Sequence, residues 1–233
     1  MGQAFANVLT SSNIDYFISG LLLTLQFALI NIFFSFLVGL VLALARNYGN
    51  KLLRGIVIGY VEVFRNTPLL LWLLFARFAL TRAFGLQPYT AVVVMFVCFF
   101  ASILCEQIRS GINAIAKGQF EAAQSQGFTF PQTLLYIILP QAIKMIIPQL
   151  LSSLITIIKD TSYLSTIAIA DFMYQARAVM ANYTGIEEKI ACYGVIVIVY
   201  FLINFALSCL VRYLSSPKRK KKVKTLPANT VME

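Results

Sequence analysis

Apolar residues gather into five stretches, each long enough for a helix that crosses the hydrocarbon layer, which takes about 20 residues. They run from about Phe17 to Ala45, Leu53 to Leu80, Tyr89 to Ile108, Ile143 to Ala170 and Ile190 to Tyr213. The pattern predicts an all-α polytopic membrane protein with five transmembrane helices. The second and fourth stretches are interrupted by charge, and Pro68 removes a backbone donor within the second.

Polar residues between the stretches set the orientation, because lysine and arginine in short loops favour the cytoplasm. Arg46, Lys51 and Arg54 follow the first stretch, and Arg109, Lys117 and Lys144 follow the third. The N-terminal segment has no positive charge. Arg212, Lys218, Arg219, Lys220, Lys221, Lys222 and Lys224 crowd the end, as in a segment held to anionic lipid. We therefore expect an extracytoplasmic N-terminal tail (1–16), a membrane domain (17–213) and a basic cytoplasmic tail (214–233). The first eighteen residues lack the positive start of a signal peptide.

Composition narrows the chemistry. Of 233 residues, 59% are hydrophobic and 12% charged, with a net charge of +10 and a mean hydropathy of +0.80. Soluble domains carry about twice that share of charge. The chain has no histidine. That excludes histidine-ligated metals, Ser-His-Asp triads and histidine bases. There is no phosphate-cradling GxxxxGK[ST] loop and no GxGxxG. No cofactor is expected and the chain reads as a non-enzyme. Cys98, Cys105, Cys192 and Cys209 lie in apolar runs without metal spacing and read as small buried hydrophobes.

The loop of about residues 110–143 is long for so economical a chain, and long loops in compact domains are commonly functional. It reads as one helix over Gln119–Gln126 and another from Pro131, with Pro140 and Pro148 punctuating the beginning of the fourth span. Ala122 and Ala123 form helix without bulk. Gly127 suits a left-handed exit, and Glu121 lies near the helix start, where the dipole favours negative charge. Such a helix can dock on a partner and carry force from it.

Four ionisable residues fall inside spans, where each costs about 2.5–3.5 kcal/mol on insertion scales and so marks a pathway or a pair. Glu62 and Arg65 are three apart on one face and can pair with each other. Lys159 and Asp160 point about 100° apart, so at least one needs another partner. With Thr161 and Ser162 they offer both signs and two hydroxyls, which suits an amino acid: Glu62 and Asp160 for the ammonium, Arg65 and Lys159 for the carboxylate. A structural network between helices would use the same residues. Glu106 and Arg109 form a second i, i+3 pair, Arg77 and Arg82 can snorkel outward, and Gly39 and Ala43 permit close helix approach.

Glu121-Ala122-Ala123, Gly127, Ile137, Leu139 and Pro140 meet every fixed position of EAA-x3-G-x9-I-x-L-P. The chain thereby resembles the membrane subunits of ATP-binding-cassette importers. Phe64 to Leu69 (FRNTPL, with Asn66 where glycine is usual), Glu106 to Gln119 and Lys159 to Ser165 resemble the polar amino-acid branch. The resemblance covers about residues 20–210. It implies a type I importer fold whose loop helix couples transport to ATP hydrolysis through Glu121, Ala122, Ala123 and Gly127. It also implies a homo- or heterodimer of permeases, two ATP-binding subunits, an extracytoplasmic amino-acid-binding protein, no nucleic acid, and residence in a bacterial cell membrane. The competing reading is an ATP-independent channel or ion-coupled carrier, which has no need of a docking helix.

Overall fold

The structure, a computed structural model, describes residues 2–215; most of the expected basic tail lies outside the described residues. Every regular element among the described residues is helical. Helix α1 (Gly2–Val8) precedes α2 (Ser11–Tyr48), so the segment expected as a tail is largely helical. Thr10 caps α2: its hydroxyl accepts from the Asn13 N–H. Thirty-eight residues make a rod of roughly 57 Å, longer than the hydrocarbon layer is thick.

The second span is broken. Helix α3 (Lys51–Arg65) and the following run of α4 (Leu69–Phe75), a π-helical turn (Ala76–Leu80) and α5 (Thr81–Phe84) meet at 99°. Pro68 lacks an N–H and disfavours helix at the residue before it. Local side chains add to the backbone bonds at the end of α3, where Asn66 N–H already bonds Glu62 O at 3.1 Å. Asn66 Nδ2 donates to Glu62 O at 2.8 Å, and Thr67 Oγ1 donates to Val63 O at 2.7 Å. Trp72 Nε1 then donates to Thr67 Oγ1 and ties α4 to the break.

Helix α6 (Pro88–Asn113) is the third span, followed by α7 (Lys117–Ser125). Then α8 (Phe130–Gln132), a π-helical turn (Thr133–Ile138), α9 (Leu139–Asp160) and a 3-10 turn (Thr161–Ile167) run on as one 38-residue rod. This corrects the sequence reading, which starts the fourth span at Ile143. Pro131 does sit at the helix start, behind a Thr129–Gln132 capping box. Pro140 and Pro148 lie inside helix rather than before it. Pro140 is accommodated because the π turn beside it has already shifted the hydrogen-bond ladder. Helix α10 (Phe172–Ala181) crosses the far end to α11 (Ile186–Ser215), the last span.

Among the described residues four helices are long and apolar enough to cross a membrane, and the bent pair, taken as one span, brings the number to five. Helices α2 and α6 form the closest seam. A Cβ at Gly39 would meet Leu104 Cβ at 3.0 Å and Ala101 O at 3.1 Å, so glycine lets the two helices approach without pushing either aside. Three apolar clusters stack along the bundle. Ala43, Val61, Leu104 and Ile138 fill the α7 end, Phe27, Leu73, Phe96 and Leu164 the middle, and Val8, Phe17, Phe172 and Val179 the α10 end. Cys105 and Cys192 are buried as expected; Cys209 is exposed.

Candidate functional site

Helix α7 is anchored on one face and open on the other. Ala123 is 3% exposed, while Glu121 and Ala122 face outward. The two alanines therefore have different tasks: Ala123 seats the helix on the start of the fourth span, and Ala122 leaves a smooth outer surface. Gln141 Nε2 donates to Gln119 Oε1 at 3.2 Å and fastens α7 to α9.

The exit from α7 is a Schellman motif. Phe128 N–H bonds Ala123 O at 3.1 Å and Gly127 N–H bonds Gln124 O at 3.0 Å. Gly127 has φ +83°, with open space where a Cβ would stand. Its constraint is thus conformational, as the sequence suggests. The dipole reading of Glu121 does not hold. Helix α7 begins at Lys117, two residues earlier than expected, and its first turn contains no acid.

Just behind α7, Glu106 gathers three arginines. Arg109 Nη2 lies 2.9 Å from Glu106 Oε2, Arg46 pairs with Oε1, and Arg65 Nη1 lies 3.9 Å from Oε1. One carboxylate thus joins α2, α3 and α6 beside the loop. The Glu106–Arg109 pair is there; the Glu62–Arg65 pair is not. Glu62 is exposed and accepts from Asn66 Nδ2 at 2.9 Å, while Arg65 turns to Glu106. Asn66 ends the helix there, which brings its amide within reach of the Glu62 carboxylate. The sequence reading misses Arg46 as a partner because the contact joins residues 60 apart.

At the other end of α9, Lys159 is exposed and Asp160 half-buried. They do not pair with each other, as their angular separation anticipates, but the partner expected for at least one of them is not found either: among the described residues neither has an ion-pair partner within 4 Å. Lys159 lines a cavity of about 390 Å³ with Tyr200, Asn204 and Ser208 of α11. Asn204 Nδ2 donates to Tyr200 O at 2.7 Å, and its Oδ1 is buried without a hydrogen-bond partner. Thr161 is buried and donates to Ile158 O at 2.7 Å; Ser162 O accepts from Ser165 Oγ. The structure therefore places Glu62 and Arg65 at the break in the second span and Lys159 to Ser162 where α9 tightens into the 3-10 turn. That turn packs on α4, which begins just after the break. Arg77 does not simply snorkel: its Nε donates to Ile167 O at 3.2 Å and closes the 3-10 turn.

Asp171, missed by the sequence reading as more than a loop charge, is fully buried and caps α10. Its carboxylate accepts from Tyr174 N–H at 2.9 Å and Met173 N–H at 3.2 Å. Burial pushes this carboxyl up to about 7, against the pull of those backbone hydrogen bonds.

A bundle of long apolar helices with one span broken at Pro68, and a short helix held firmly at one end, suits a transporter's membrane subunit. Residues 35–220 match the family described as "Binding-protein-dependent transport system inner membrane component", and the chain belongs to that family. It is similar to the probable glutamine ABC transporter permease protein GlnP of Bacillus subtilis, at 32% identity over 90% of this chain and 97% of the relative. It is 35% identical to the arginine transport system permease protein ArtQ of the same organism, covering 83% and 90% of the two chains. A crystal structure of an amino acid ABC transporter with histidines superposes with a TM-score of 0.74 at 33% identity, covering 86% and 92%. The chain is a permease subunit of an ABC importer rather than an enzyme.

Proposed function

We propose that this chain forms the translocation path of an ATP-driven importer for polar or charged amino acids. The observation that carries the reading is α7: one face seated on the bundle through Ala123, the other open at Glu121 and Ala122, and the exit fixed by Gly127. Relatives named for glutamine, arginine and cystine transport support the substrate class.

In this reading the α7 end is cytoplasmic and the N-terminus is outside. Two permeases, identical or homologous, pair in the cell membrane, and each α7 docks in a groove on one ATP-binding subunit. ATP binding draws those subunits together. The push enters through α7, and the Glu106 cluster passes it to α2, α3 and α6. The path between Glu62, Arg65 and Lys159, Asp160, Thr161, Ser162 then opens outward, where a binding protein delivers substrate; hydrolysis resets it. The spans stay apolar outside while the break after α3 and the 3-10 turn after α9 offer both signs of charge to a zwitterion.

The test is uphill uptake of labelled glutamine, arginine and cystine into vesicles holding this chain. Uptake is expected only with the ATP-binding subunits, ATP and the binding protein. Uphill uptake by the chain without nucleotide would establish the ion-coupled alternative instead.

A further inference from the structure

A cavity of about 530 Å³ opens at the α10 end, lined by Ser165, Thr166, Tyr174, Arg177 and Ala178. Its polar groups divide by chemistry. Ser165 Oγ donates to Ser162 O at 2.8 Å and Thr166 Oγ1 donates to Tyr163 O at 2.7 Å. Each hydroxyl has one hydrogen and has committed it to the 3-10 turn, so toward the cavity both oxygens only accept.

The facing helix supplies the opposite. Arg177 carries five N–H donors and has no ion pair or side-chain hydrogen bond among the described residues. Tyr174 lies three residues before it on the same face, and its hydroxyl likewise has no hydrogen-bond partner. One wall therefore donates and the other accepts. A ligand that satisfies both carries an anionic acceptor at one end and an N–H donor at the other, as the carboxylate and ammonium of an amino acid do. The volume lies within the roughly 300–1,000 Å³ of small-molecule sites.

We propose that this cavity is a head-group site for an α-amino acid. Arg177 and Tyr174 take the carboxylate, and the Ser165 and Thr166 oxygens take the ammonium. The site lies on the 3-10 turn that directly follows Lys159 and Asp160, so it is a station before them on the inward path. The inference rests on the amino-acid reading above.

The experiment is equilibrium binding of labelled L-glutamine, L-arginine and L-cystine to the assembled permease–ATPase complex without binding protein. It compares wild type, Arg177→Ala, Arg177→Lys and the double change Ser165→Ala with Thr166→Val, each verified as assembled by its melting temperature. For the amino acid that wild type binds, Arg177→Ala is expected to raise the dissociation constant about tenfold or more. Arg177→Lys is expected to recover part of the loss. The corresponding decarboxylated amine is expected to bind wild type and Arg177→Ala alike. Unchanged amino-acid affinity in Arg177→Ala overturns the site. Unchanged affinity with lost uptake also overturns it and makes Arg177 a contact for the binding protein. If wild type binds none of the three while the complex with its binding protein transports one of them, this site falls and the amino-acid reading stands; if uptake fails as well, both fall.

Discussion

The two ends of the fourth span are built on opposite rules. At the α7 end most polar groups are satisfied by the capping box, the Schellman exit, the Gln119–Gln141 bond and the Glu106 cluster, although Thr133 Oγ1 is buried there without a hydrogen-bond partner. At the α10 end Lys159, Asp160, Arg177 and the Asn204 carbonyl stand without ion-pair or hydrogen-bond partners among the described residues. A part that transmits force must not yield, and satisfied hydrogen bonds and packing keep it stiff. A part that passes a solute must keep polar groups in reserve, because a path already satisfied by its own protein offers the traveller nothing.

The comparison breaks most visibly at Gly127. Gly127→Val forces a β-branched residue into a left-handed conformation, at about 1–2 kcal/mol or more. Uptake by the full complex is expected to fall at least tenfold, and Gly127→Ala less, since space is not the obstacle. Uptake at the wild-type rate in Gly127→Val would remove α7 from the force path.

Asp171 tests the α10 end through stability. Its folded carboxyl titrates near 7, above its unfolded value of 3.8. Between about pH 4 and 7 the folded chain holds a proton that the unfolded chain releases, so stability falls as pH rises through that window and levels off above it. The loss attributed to this group is on the order of 2–4 kcal/mol. Asp171→Asn keeps the helix cap and is expected to flatten that slope in detergent melts at pH 5 and 8. An unaltered slope would exclude Asp171 as its source.

Glu106→Gln leaves three guanidiniums without their shared anion. The cluster is partly exposed, so the expected destabilisation is about 1–2 kcal/mol, below that of a buried pair. A melting temperature equal to wild type would show that the spans are not tied there. Asp160→Asn is expected to have the smallest effect, a several-fold rise in the uptake KM with folding and basal ATPase rate unchanged. If KM does not move, Asp160 does not touch the path.

The sequence made most of this legible where the determinants are local. Apolar runs announce spans, Pro68 announces the break, and Gly127 with the alanines before it announces the helix and its exit. It failed where partners come from afar. Arg65 lies three residues from Glu62, yet a carboxylate on another helix, already flanked by two arginines, draws it away. The fourth span begins early because a capping box and a π turn carry helix through Pro140, which local propensity alone assigns to a boundary. The separate faces of Ala122 and Ala123 emerge only once α7 is seated.

That last distinction gives the most direct test. In a background with Cys98, Cys105, Cys192 and Cys209 replaced, Ala122→Cys and Ala123→Cys can each be oxidised against cysteines placed in the groove of the ATP-binding subunit. Ala122→Cys is expected to cross-link to that subunit and to block uptake until reductant is added, while the buried Ala123→Cys does not cross-link. Failure of Ala122→Cys to reach the subunit, or full transport by the cross-linked complex, would contradict α7 as the route by which ATP hydrolysis moves this bundle.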